Sequence, residues 1–228
     1  MESLQAWPTD WHPVWLTLRV ASVATLVALV VGTALGWLFG RVRFAGSAVL
    51  EAVFMLPLVL PPTVLGYYIL IAMGRNSPVG RFLRDTFDYT IIFSWHGAVV
   101  AASIVALPLV LKSSAAAFAG VDRTMEAAAR TLGQRPFSVF VRVTLPLAWR
   151  GILAGAMLAF ARALGEFGAT LMVAGNIPGQ TQTLSMAVYD AGQAGNDRLA
   201  LVLVMLTSLI CVVILVASTK LLAPKPSS

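Results

Sequence analysis

Apolar residues in this chain neither alternate nor stripe one face of short helices; they come in long uninterrupted runs. Four of these, at 20–39, 52–73, 90–111 and 199–219, contain no Asp, Glu, Lys or Arg. Each is close to the roughly 20 residues that carry a helix across a bilayer core. A fifth run, 151–175, is long enough but holds Arg162 and Glu166 inside it, which lowers its hydropathy. The pattern predicts an all-α polytopic membrane protein forming one domain over 1–228. Its five spans fall at about 16–39, 50–73, 90–111, 147–175 and 199–220. Between the third and fourth, residues 112–146 have no membrane-length run, yet they are too rich in Ala and Leu for a disordered linker.

Breaks within the runs mark where a plain helix fails. In the second span Pro57, Pro61 and Pro62 remove backbone donors that lipid cannot replace. A broken or kinked helix is expected there, and broken backbone at membrane depth is tolerated where it meets protein or water. Two readings stand level: a plain proline kink, or a path-lining segment in which Pro61, Pro62, Thr63 and Tyr67 face the path. Arg162 and Glu166 stand four apart and so share a helix face. Taken from Gly151, Arg162 is about 16 Å along the helix, near mid-membrane. Ionisable groups at that depth face a bundle interior or an aqueous route, so the pair either neutralises itself or lines the path. His96 stands alone, with no second ligand at helical spacing, and reads as a hydrogen-bonded packing residue. Glu51 is expected to cap or flank the second span, and 74–88 reads as a polar loop. Trp7, Trp11 and Trp15 cluster where rings anchor at headgroup level.

Composition agrees and adds an orientation. The 228 residues are 58% hydrophobic and 11% charged, far from a soluble balance. Arg41, Arg43, Lys112, Arg123, Arg130, Arg135, Arg142, Arg150, Lys220 and Lys225 fall on one side of the predicted spans. Only Arg19, Arg75, Arg81, Arg84 and Arg198 fall on the other. By the positive-inside rule the N-terminus is outside and the C-terminus cytoplasmic, as five spans require. The net charge of +6 is thus a topology signal before a nucleic-acid one. The first apolar run exceeds the 7–15 residues or so of a cleavable signal and follows Glu2 and Asp10, so a retained span is expected. Cys211 has no second cysteine to pair with.

The segment 112–146 carries the most specific signal. Asp122 can cap a helix of strong helix formers, Met125 to Leu132, and Gly133 can take the left-handed turn at its end. Pro136 can open a second helix, closed by Leu145 and Pro146. Two short helices at a glycine corner are expected. Glu126-Ala127-Ala128-Ala129-Arg130-Thr131-Leu132-Gly133, then nine residues, then Val143-Thr144-Leu145-Pro146, resembles the elbow of type I ABC importer permeases. That motif reads Glu-Ala-Ala, three residues, Gly, nine residues, Ile, one residue, Leu-Pro. Gly133, Leu145 and Pro146 are in register, Ala128 and Ala129 occupy the alanine pair, and Val143 replaces isoleucine. Glu126 lies one residue early.

The resemblance implies that Glu126, Ala128, Ala129, Arg130, Leu132, Gly133, Arg135, Pro136, Leu145 and Pro146 couple the chain to an ATPase. The stretches Leu60 to Tyr68, Phe160 to Thr170 and Asn176 to Gly179 resemble molybdate permease subunits, with sulfate permeases near relatives. This implies a bacterial inner-membrane homodimer fed by a periplasmic or extracellular molybdate-binding protein. ATP and Mg would be bound by the partner ATPase and no cofactor by this chain, which lacks a Gly-x-x-x-x-Gly-Lys-Ser/Thr phosphate loop. Alternatives are a sulfate, thiosulfate or tungstate permease, a passive anion channel, or a membrane-embedded enzyme. The channel would not require the elbow. The enzyme would need a catalytic or metal cluster, and His12, His96 and Cys211 supply none.

Overall fold

The computed structural model describes residues 10–42 and 44–222. Trp7, Glu2, Arg43 and Lys225 lie outside the described residues. The fold is all-helical, with no strand among the described residues. Among those residues four helices are long and apolar enough to cross a bilayer, five if one sharply bent pair counts as a single span.

Its centre is helix α5, Trp95–Ala119, which carries the densest set of buried residues. Against it lies α1, His12–Arg41, through glycines spaced four apart. A Cβ on Gly32 would fall 2.8 Å from Val110 Cβ, one on Gly36 2.5 Å from Ser114 Cβ, and one on Gly40 2.6 Å from the Ala115 carbonyl oxygen. Lipid offers no hydrophobic drive between helices, so close approach over small residues supplies the contact. The other flank of α5 is met in the same way by α8, Leu145–Leu164, where a Gly155 Cβ would lie 2.7 Å from Ser113 Cβ. Helix α5 outruns the expected end of the third span by eight residues, because Ser114 and Phe118 are buried there.

The second span is two helices, α2 at Ser47–Val59 and α3 at Pro62–Met73, bent by 116°. Pro57 is accommodated inside α2, and the break falls where Pro61 and Pro62 follow each other. Glu51 is not at the α2 terminus, which Gly46 opens; it lies a turn in and pairs with Lys112 at 2.5 Å. The expected loop at 74–88 is largely a helix, α4 at Pro78–Phe87. Ser77 Oγ accepts the Gly80 amide at 2.9 Å to cap it, and Pro78 opens its first turn.

The fourth span also departs from expectation. Continuous helix runs from Pro136 to Leu164 and stops at Gly165, and a separate α9, Gly168–Ala174, follows. Arg162 is therefore in the last turn of α8 and not at the middle of a helix over 147–175. A polar loop then leads to α10, Leu184–Gln193, and α11, Asp197–Leu222. Asp190 accepts from Asn176 Nδ2 and Gln182 Nε2, both at 2.7 Å, and holds that loop.

Candidate functional site

Helix α6, Arg123–Thr131, opens the elbow. Asp122 Oδ1 accepts the Thr124 amide at 2.8 Å, and that bond holds the Asp122 carboxyl below the usual aspartate range. At the other end Gly133 has φ +81°, a conformation costly for any residue with a Cβ. Its amide donates to the Arg130 carbonyl and the Gln134 amide to the Ala129 carbonyl, the paired bonds of a Schellman close.

The second elbow helix is not free-standing. Pro136–Val139 forms one turn, α7, which passes through a π-turn at Phe140–Thr144 straight into α8. Leu145 and Pro146 therefore begin α8 instead of closing the elbow. Proline cannot donate to the carbonyl four residues back, and a widened turn lets the chain continue around that gap.

Glu126 is only 8% exposed and faces its own chain. One oxygen, Oε1, accepts from Arg41 at 2.6 Å and from Thr144 Oγ1 at 2.6 Å, while Oε2 lies 4.0 Å from Arg130. This carboxylate joins α6 to the end of α1 and to the π-turn. Arg41 and Thr144 carry no local signal of the role: Arg41 stands 85 positions from its partner, and its charge reads in sequence only as topology.

With Glu126 turned inward, the rest of the elbow is turned out. Ala128, Arg130, Gly133, Arg135 and Pro136 are exposed and Ala129 half-buried. Leu132 at 82% and Phe137 at 79% are the most exposed large apolar residues of the segment. Of the motif's last residues, Leu145 is half-buried and Pro146 exposed. Leu132 and Phe137 thus leave two apolar side chains uncovered around the glycine corner.

The path candidates gather at two helix breaks that touch. A Cβ on Gly168, opening α9, would be 2.7 Å from Pro62 Cβ, opening α3; one on Gly66 would be 2.6 Å from Met172 Cβ. Pro61, Pro62 and Thr63 are exposed beside this contact, as are Tyr67 and Tyr68. Arg162 and Glu166 bond at 2.7 Å, and Glu166, 3% exposed, also accepts the Ala169 amide at 3.0 Å. The pair thus bridges the break and caps α9. His96 bonds Tyr89 through Nδ1, so the expected hydrogen bond is present, but the residue is exposed and not packed in the core. Among the described residues no group of three His, Cys, Asp or Glu could hold a metal.

Comparison with known proteins places this geometry. Molybdenum transport system permease protein ModB of Escherichia coli K12 is 46% identical over 198 residues, covering 85% of this chain and 86% of that one. The putative molybdenum transport system permease YvgM of Bacillus subtilis is 46% identical over 188 residues, 82% of this chain and 83% of its own. Among solved structures, an inward-facing MetNI methionine ABC transporter chain superposes with a TM-score of 0.70 at 18% identity, covering 92% of this chain and 93% of that one. A chain of a bacterial ABC transporter importing alginate gives 0.68 at 15% identity, covering 95% and 79%. These two show a shared ABC importer permease fold. The family model described as "Binding-protein-dependent transport system inner membrane component" matches residues 32–227, and this multi-pass chain belongs to that family.

Proposed function

We propose that the chain is the membrane-spanning subunit of an ATP-driven molybdate importer of the bacterial inner membrane. Two copies enclose the path, a separate ATPase binding ATP and Mg docks on the elbow from the cytoplasm, and a soluble molybdate-binding protein delivers cargo from outside. The elbow carries this reading: its exposed Leu132, Gly133 and Phe137 stand at the corner between α6 and α7, and Glu126 pins α6 from behind. Pairing is supported by α2, which buries none of its residues in a single chain. The excess of Lys and Arg at the elbow side supports the cytoplasmic assignment. Molybdate as cargo is supported by the two molybdenum permeases that resemble this chain over more than four-fifths of its length.

Gly133→Trp tests the docking claim. Its φ is unfavourable for any Cβ, and the ring would stand on the docking face. Co-purification of the ATPase and binding-protein-dependent molybdate uptake should both fall by at least about tenfold. Unchanged assembly and uptake would reject it. Uptake of labelled molybdate, challenged with sulfate and tungstate in vesicles, tests the cargo separately. Intact ATPase coupling with indifference to molybdate would reassign the cargo and leave the elbow standing.

A further inference from the structure

Beside the elbow, on the flank formed by α1, α6 and the π-turn, is a half-open cavity of about 290 Å³ lined by Arg41, Arg123, Glu126, Arg130, Trp37 and Phe140, among others. Three guanidinium groups face one carboxylate, an imbalance that favours an anion. Glu126 satisfies Arg41, whereas Arg123 is exposed and Arg130 lies only at the edge of ion-pair distance. Trp37 and Phe140, edge to face at 6.1 Å, line this cavity together. The same two rings line a second space, an apolar groove of about 580 Å³ along α1 and α8 past Val30, Ala34 and Ile152. A basic chamber and an apolar trough on membrane-spanning helices therefore adjoin at one pair of aromatic rings.

We infer that the adjoining chamber and groove hold an anionic phospholipid that passes over Trp37 and Phe140, its phosphate among Arg123, Arg130 and Arg41 and an acyl chain along Val30, Ala34 and Ile152. The chemistry matches at both ends. A phosphodiester accepts from guanidinium forks, which bind phosphate with directed bonds. Tryptophan at the boundary suits headgroup depth, and basic side chains there attract anionic lipids. The site lies on the flank of the elbow and shares Arg130 with the coupling segment, whereas Arg123 is outside the motif and tests the site separately from docking. Its consequence is that an anionic membrane would brace the clamp holding α6 to α1, because the same Arg41 serves both.

The full chain, purified in mild detergent on a Cys211→Ser background, would be offered equal amounts of phosphatidylglycerol and phosphatidylcholine and read by native mass spectrometry. Phosphatidylglycerol should be retained in preference. Arg123→Gln should cut its retention by about tenfold, while Arg123→Lys, which keeps the charge without the fork, restores it in part. Ala34→Trp, which fills the groove from an exposed position, should cut retention of the lipid with every charge in place. Equal retention of the two lipids, or indifference to Arg123→Gln, would overturn the inference. Inorganic phosphate tests the headgroup alone: if it binds the Ala34→Trp chain and the parent equally while the lipid is not retained by either, the chamber is a phosphate site. If Val30→Cys forms disulfides between copies in native membranes, a second protein chain covers the groove, which also overturns the lipid assignment. Unfolding temperature of each variant, matched to the parent, separates lost binding from lost fold.

Discussion

Glu126 shows how one side chain can set the direction of a whole surface. Its two oxygens are spent on Arg41, Thr144 and, at longer range, Arg130, so Ala127 and Ala128, which follow it along α6, face away. Removing it strands Arg41 and Thr144, both largely buried. Breaking a buried pair costs more than the pair contributes, because the survivor stays desolvated. Glu126→Ala should therefore destabilise the full chain by about 2–4 kcal/mol, read as a fall in thermal midpoint in detergent. Glu126→Gln keeps an acceptor for Thr144 and should cost less. Loss of ATPase co-purification in the alanine variant, with Leu132 and Phe137 untouched, would locate the effect in orientation of the elbow. Asp122 gives a pH signature at the same scale. Its folded pKa is depressed, so its capping contribution is present above the unfolded pKa and is lost as pH falls through the lower, folded one. Protection of the Thr124 amide from hydrogen exchange should persist through mildly acidic pH and collapse only under strong acid. Asp122→Asn should flatten that dependence.

At the scale of elements, packing on α5 explains which helices are immovable. The glycine ladder on α1 sets helix axes so close that any added carbon meets Cβ atoms or backbone. Gly36→Leu should cost about 3 kcal/mol or more, since Ser114 Cβ, 2.5 Å away, belongs to a buried helix that cannot swing aside. At Gly46 an added Cβ would meet nothing within 4 Å, but φ is +86°, so a substitution there should act only through backbone strain. Comparing expression and thermal midpoint of Gly46→Ala and Gly36→Ala checks the distinction. The same elements show what sequence can carry. Hydrophobic runs locate every long helix, and Asp122, Gly133 and Pro136 mark the α6 boundary and the turn after it because caps and turns are local chemistry. Hydropathy smoothed over the stop at Gly165, since α9 beyond it is as apolar as α8 before it. It also hid α4, whose polar residues face one side of a short amphipathic helix and so read as loop. Contacts between distant residues, Arg41 with Glu126 and Lys112 with Glu51, had no sequence pattern to reveal them.

Across the whole molecule, one helix joins the two parts of the proposed machine. From Pro136 to Leu164 the chain is helical for 29 residues, about 40 Å at 1.5 Å per residue. Its first turn presents Phe137 at the elbow, and its last turn holds Arg162, which bonds Glu166 across the break beside Pro62. In the proposed machine a push on Phe137 would be carried along a rod packed on α5, with continuous helix from Pro136 to Leu164 and no loop between. Rigid-body transmission of this kind needs continuity more than any particular side chain. Leu158, half-exposed on α8 between the two ends, offers a place to interrupt it. Leu158→Pro removes a backbone bond and kinks the rod at about 3 kcal/mol, whereas Leu158→Ala preserves it. In the proline variant the elbow is intact, so the ATPase should still co-purify and hydrolyse ATP, while molybdate uptake drops at least about tenfold below the alanine control. Equal uptake by the two variants would show that the elbow's motion reaches the breaks by another route, through α5 or the partner copy, and α8 would then be a scaffold and not the lever.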